Sequence, residues 1–174
     1  MLVLGVDPGS RVTGYGLVEK KQNRLVCVDA GSIHASGSIP FYERIYGVFR
    51  SMLDVIERYR PDEMAVEDVF FAKNVKSSLK LGQARGAALI AAGHCHIKVF
   101  EYSPLEIKKS VVGYGRATKD QIRSMVQVIL KLQTRFGADT SDALAAAICH
   151  LNWTRYTPNS PTPSVKGDNT IACQ

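Results

Sequence analysis

The chain has 174 residues, 45% hydrophobic and 22% charged, ordinary globular values that suit one domain with a sizeable core. No apolar run approaches the ~18 residues that span a bilayer, and no basic leader with a cleavage site predicts secretion. A net charge of +6 suggests a polyanionic partner, and four scattered cysteines without a CxxC pair suggest a reducing cytoplasm rather than a disulfide framework or structural zinc.

Leu2 to Val6 is a short apolar run bounded by Pro8 and Gly9, the pattern of a central strand followed by a forced turn. Asp7 sits where the strand hands over to the turn. Val12 to Val18 reads as a second strand, antiparallel to the first because the connection is too short for a crossover. Gly9, Gly14 and Gly16 keep this hairpin slim. They serve either strand packing or the close approach of a phosphate or metal to Asp7. Arg24 to Ile33 is a third strand.

Pro40 to Tyr59 predicts an amphipathic helix with Phe41, Ile45, Val48, Met52, Val55, Ile56 and Tyr59 inward, ended by Pro61. Met64 to Asp68 is a strand that puts Glu67 at its end. A basic segment follows with Lys73, Lys76, Lys80 and Arg85, and a helix runs on through about Gly93. Its expected apolar stripe is Val75, Leu79, Gly82, Gly86, Leu89, Ile90 and Gly93. Glycine costs roughly 1 kcal/mol against alanine inside a helix, so Gly82 and Gly86 suggest close packing, within the fold or across a dimer axis.

His94-Cys95-His96 has no second Cys/His cluster at zinc-finger spacing and falls where this helix should stop. Ile97 to Tyr102 is a fifth strand. Ser103-Pro104-Leu105-Glu106 and Thr118-Lys119-Asp120-Gln121 are capping boxes that open two further helices, the first stopping at Gly113. The last helix begins near Asp139, with Leu144, Ile148 and Leu151 facing the core. Residues 1–153 are therefore read as one domain. Residues 154–174, rich in Pro, Ser and Asn, are read as a flexible tail without its own fold.

Asp7 and Glu67 end two strands, and Asp139 with Asp142 opens a helix, three residues apart on one face. Either helical acid would also serve as a cap. In an α/β domain strand ends and helix starts meet at one sheet edge. Four carboxylates converging there without a paired Lys or Arg would repel one another. Two magnesium ions, which prefer oxygen ligands, would relieve that and support phosphodiester hydrolysis, with manganese as a substitute. A P-loop is absent, and a two-carboxylate glycosidase leaves the helical acids unexplained. Basic residues flank the acids: Lys73, Lys76, Lys80 and Arg85 after Glu67, and Lys108, Lys109, Arg116, Lys119 and Arg123 before Asp139. Together they suggest a phosphate-backbone cradle. Phe70 and Phe71 lie between, one suited to the core and one to stacking on an unpaired base.

The sequence resembles the RuvC family of Holliday-junction resolving endonucleases. The likeness rests on Gly5-Val6-Asp7-Pro8-Gly9 with Gly14-Tyr15-Gly16, and on Glu67-Asp68-Val69-Phe70 with Ala72-Lys73-Asn74. It continues through Leu79 to Gly86, Lys108 with Val111-Val112-Gly113, and Ala138 to Leu144. The resemblance implies an RNase H-like α/β fold, a five-stranded mixed sheet with helices on both faces. It implies a homodimer that cuts four-way junction DNA symmetrically in recombination and repair, working with the RuvA–RuvB branch-migration complex. By that likeness Asp7, Glu67, Asp139 and Asp142 are metal ligands, although some members carry His where Asp142 stands. Phe70 matches the aromatic that stacks on an opened base, Lys73 and Asn74 fall in a DNA-contacting motif, and Lys108 and Lys119 match lysines near the scissile phosphate. The helix holding Gly82 and Gly86 matches the dimer helix. Alternatives are a related nuclease of broader preference and a junction-binding protein whose acids are structural.

Overall fold

The computed structural model describes residues 1–22, 24–68, 75–134 and 136–153. Phe70, Phe71, Lys73, Asn74 and the tail 154–174 lie outside the described residues, so the expectations for them have no structural counterpart here. The strands are β1 (Leu2–Asp7), β2 (Val12–Lys21), β3 (Arg24–His34), β4 (Glu63–Glu67) and β5 (Lys98–Tyr102). The helices are α1 (Phe41–Tyr59), α2 (Val75–His94), α3 (Pro104–Val112), α4 (Lys119–Leu130) and α5 (Ala138–Trp153). The sheet order is β3-β2-β1-β4-β5. β1–β2 and β2–β3 pair antiparallel, whereas β1–β4 and β4–β5 pair parallel.

Side chains alternate across each strand, so one residue type ends up on each face. Leu4, Val6, Leu17, Met64 and Val66 face α1 and α2. Val3, Val18, Ala65 and Tyr102 face α3, α4 and α5. Full burial of residues such as Leu4, Leu17 and Met64 stabilises by about 1.5–3 kcal/mol each. α1 ends as Arg60 turns left-handed before Pro61, its N–H bonding the Ile56 carbonyl. Both capping boxes form. Ser103 Oγ accepts from the Glu106 N–H while the Glu106 carboxylate accepts from the Ser103 N–H, and Thr118 pairs likewise with Gln121.

Three expectations are corrected. Most of the stripe expected along α2 does not face the fold: Val75, Leu79 and Ile90 are 64–73% exposed, Leu89 alone of its large residues packs partly on the core, and the fully buried residues are Ala84, Ala87, Ala88, Ala91 and Ala92. The buried alanines lie on the side of α2 that packs chiefly against α1. Gly82 and Gly86 have open space where a β-carbon would sit, so close packing within the described fold is not their reason. Finally, α5 buries far more than Leu144, Ile148 and Leu151. Residues 143–151 are all buried, because the helix is wedged between the sheet and α3–α4.

Glycines make that wedge possible. A β-carbon on Gly5 would overlap the Ala143 carbonyl, one on Gly14 the Asp139 carbonyl, and one on Gly16 the Leu144 side chain. The backbone of α5 therefore rests directly on β1 and β2. Of the two readings of Gly14 and Gly16, strand-to-helix packing is the one that holds. At Gly14 the space is filled by the first turn of α5.

Candidate active site

Alternation and register bring the strand acids together. Gly5 pairs with Ala65 and Val6 with Val66, so Asp7 and Glu67 leave adjacent strands on the face covered by α5. The turn after Asp7 is held by Thr13, whose Oγ1 donates to the Gly9 carbonyl at 3.0 Å and accepts from the Gly9 N–H. α5 contributes Asp139 and Asp142 from its first turns, where the helix dipole favours anions. Thr140 Oγ1 donates to the Gly31 carbonyl at 3.0 Å and Ser141 Oγ to the Gly137 carbonyl at 2.9 Å. The first bond seats the start of α5 on β3, and the second closes the helix's own first turn, from which the two acids emerge.

The electrostatics register the crowding. Burial, then Glu67, Asp142 and Asp139, push the Asp7 carboxyl up to about 7, against a smaller opposing pull from Lys119. Glu67 is also raised, first by burial and next by Asp142, while Lys119 and Lys108 oppose. Asp142 is not without a cation, contrary to expectation: Lys119 Nζ lies 3.1 Å from its Oδ2. The ammonium pKa of Lys119 rises mainly through this hydrogen bond. Glu67, Lys108, Lys119 and Asp142 line one small cleft floored by Ile107, Ile122 and Ala145.

The predicted basic residues divide into groups. Lys108 and Lys119 join the acids. Lys76 is exposed on α2, away from any acid named above. Lys80 packs over the Phe41 ring, 5.5 Å from its centroid. Arg85 is largely covered, bonds Glu101 and lies 3.9 Å from Asp68, so its charge is already answered within the protein. The Asp68 and Glu101 partners carry no local sequence signal, being 17 and 16 residues from Arg85 in the chain.

The acids supply only oxygen donors, and burial together with their mutual repulsion raises Asp7 to about 7, which a hard divalent cation would reverse. Among the described residues no three acidic, His or Cys side chains are gathered tightly enough to hold an ion as they stand, and Asp142 is engaged by Lys119 instead. The donor chemistry fits a hard divalent cation.

The family model for crossover junction endodeoxyribonuclease RuvC matches residues 3–150. The chain belongs to the RuvC family. The crossover junction endodeoxyribonuclease RuvC of Geobacter metallireducens is 53% identical over 152 residues, covering 87% of this chain and 93% of the relative. Thermus thermophilus RuvC, solved in complex with a Holliday junction substrate, is 33% identical. It superposes with a TM-score of 0.85 over 90% of this chain and 96% of that one. The yeast mitochondrial Holliday junction resolvase, at 12% identity and a TM-score of 0.65 over 88% and 78%, shares the fold. The fold is thus the RNase H-like one expected, and no helix among the described residues is long and apolar enough to cross a membrane.

Proposed function

We propose that this chain is a magnesium-dependent endonuclease that resolves four-way DNA junctions in recombination and repair, leaving 5′-phosphate and 3′-hydroxyl ends. The observation that carries this is the acid quartet at one sheet edge, with Asp7 driven up to about 7 by burial and by its three acidic neighbours. Family membership and likeness to a RuvC solved on a Holliday junction supply the substrate class.

Asp7, Glu67, Asp139 and Asp142 would hold two ions. Bound there, the ions would activate a water and stabilise the leaving oxygen of an in-line displacement. Lys119 and Lys108, beside Glu67 and Asp142, would meet the scissile phosphate. Lys119 would then exchange its bond to Asp142 for one to the phosphate, leaving that carboxylate to a metal. Phe70 would stack on an opened base, and Lys73, Asn74, Lys76 and Lys80 would follow the backbone. Arg85 acts less as a phosphate contact than as a brace for Asp68 and Glu101.

Symmetric cutting requires two sites. The exposed stripe of α2, with Val75, Leu79 and Ile90 beside glycines that meet nothing, supports pairing with a second copy through that helix. Residues 154–174 would remain a tail outside the nuclease domain. Work alongside RuvA–RuvB in the cytoplasm follows from the family.

The deciding experiment compares a synthetic four-way junction with a linear duplex of the same sequence in magnesium. Paired, symmetric nicks confined to the junction are expected. Equal cutting of both would leave a nuclease without junction selectivity. Tight binding without cutting in magnesium or manganese would make the acids structural.

A further inference from the structure

His150 lies near the end of α5, only 1% exposed, at the far end of the helix from the acids. Its Nε2 is 2.6 Å from Glu63 Oε2 and its Nδ1 is 2.7 Å from the Tyr102 hydroxyl. A carboxylate only accepts, so Nε2 carries the proton and donates to Glu63. The Nδ1 shares the second hydrogen bond with the Tyr102 hydroxyl, a group that can donate or accept. The Phe100 ring packs 4.5 Å from the imidazole. Both ring nitrogens are committed, and the ring cannot rotate without breaking a buried bond.

The partners define what this arrangement holds. Glu63 begins β4, the strand that ends on Glu67, and Tyr102 stands opposite Glu67 in the β4–β5 register. The Tyr102 carbonyl also accepts from the Asp68 N–H at 2.7 Å. α5 runs antiparallel to β4, with Asp142 beside Glu67 at one end and His150 bonded to Glu63 at the other. The intervals match. Asp142 to His150 is about 12 Å of helix at 1.5 Å per residue, and Glu63 to Glu67 is about 13 Å of strand. Between these two rungs the helix backbone at Ala143 and Ala147 rests on Gly5, and the Leu144 side chain rests on Gly16. Apolar contact is non-directional. It fixes how deeply α5 sits, while directional bonds hold it lengthwise: Thr140 to Gly31 on β3 at the acid end, and His150 to β4 and β5 at the other.

We propose that His150 is a positioning residue for the acid site: by bonding Glu63 and Tyr102 it sets the axial position of α5 along β4 and β5, and with it the separation of Asp139 and Asp142 from Asp7 and Glu67. A helix displaced by even half a residue rise would alter the spacing of acids that must share cations. The inference rests on the metal-site reading above and deepens it.

The test titrates magnesium into DNA-free protein, followed by calorimetry and thermal melting, and in parallel measures junction cleavage against magnesium. Glu63→Ala leaves the Nε2–H without its acceptor, Glu63→Gln restores one, and Tyr102→Phe removes the hydrogen-bond partner of Nδ1. Expected for Glu63→Ala and His150→Phe is an approximately tenfold higher magnesium midpoint in both assays, with junction affinity in EDTA unchanged and Glu63→Gln close to wild type. The double variant should be no worse than His150→Phe, since the residues act as one unit. If His150→Phe does not fold, Glu63→Ala and Tyr102→Phe decide. A lower melting temperature with an unmoved magnesium midpoint would overturn the proposal and leave a stabilising contact only. Wild-type protein that neither binds magnesium nor cleaves would refute the site reading itself, and the inference with it. That outcome is distinguishable because wild type and variants would then behave alike.

Discussion

Asp7→Asn replaces a carboxylate held at about 7 with a neutral group of the same shape. In the unfolded chain this Asp has its ordinary value of 3.8. Between the two values the folded state holds the proton more tightly, so stability falls as pH rises, and the full penalty is present above about pH 7. Raising a pKa from 3.8 to about 7 corresponds to about 4 kcal/mol at about 1.4 kcal/mol per unit. Water reaching this partly exposed group lowers that to about 2–3 kcal/mol, or about 5–10 °C in melting temperature for a chain of this size. In EDTA at pH 8, urea unfolding should therefore show Asp7→Asn more stable than wild type by that amount. Near pH 4 the two should converge. Magnesium should then stabilise wild type but not the variant, and junction cleavage by the variant should fall at least ~1,000-fold. Equal stability of the two proteins at pH 8 in EDTA would refute the claim that Asp7 is strained by its acidic neighbours.

Lys119→Ala should change stability by less than about 1 kcal/mol, because its side chain is 74% exposed, yet slow cleavage ~100-fold; normal single-turnover rates would remove Lys119 from the reaction. Gly14→Ala forces a β-carbon into the Asp139 carbonyl and should cost about 3 kcal/mol or more, read by denaturant unfolding; a cost below about 1 kcal/mol would mean that α5 is free to lift. Gly82→Ala and Gly86→Ala meet nothing among the described residues and should stabilise the isolated protomer by about 0.5–1 kcal/mol while weakening self-association in sedimentation; unchanged association would exclude α2 as the contact between copies. Phe70→Ala should bind junctions normally but resolve them at least ~10-fold more slowly, and wild-type resolution would take Phe70 out of the site.

Local signals carried most of the fold. The capping boxes at Ser103 and Thr118, the αL stop at Gly113 and the strand ending on Asp7 depend on neighbours within a few residues, and each formed as expected. Asp139 and Asp142 were legible because three-residue spacing on a helix has one geometric meaning. Contacts between distant segments were not legible. Lys119 finds Asp142 across 23 positions and His150 finds Glu63 across 87, and no local pattern announces either bond. The α2 stripe misled for a related reason. Hydropathy favours leucine and valine over alanine, but the inward side of α2 is lined mainly by alanine, with Leu89 the one member of the expected large apolar set that packs partly on the core. The glycines of β1 and β2 had two open readings until α5 was seen lying on them.

The burial of α5 also bears on the order in which the protein can be made. Chains are synthesised from the N-terminus and tend to fold as they emerge. Until residues 138–153 have left the ribosome, one face of the sheet lacks its central helix and has only α3 and α4 to cover it, and Asp7 and Glu67 lack their helical counterparts. Core completion and catalytic assembly thus depend on the same late segment. A nascent or truncated chain that stops before α5 carries half the acids on an unfinished scaffold, so no free nuclease forms ahead of the finished domain.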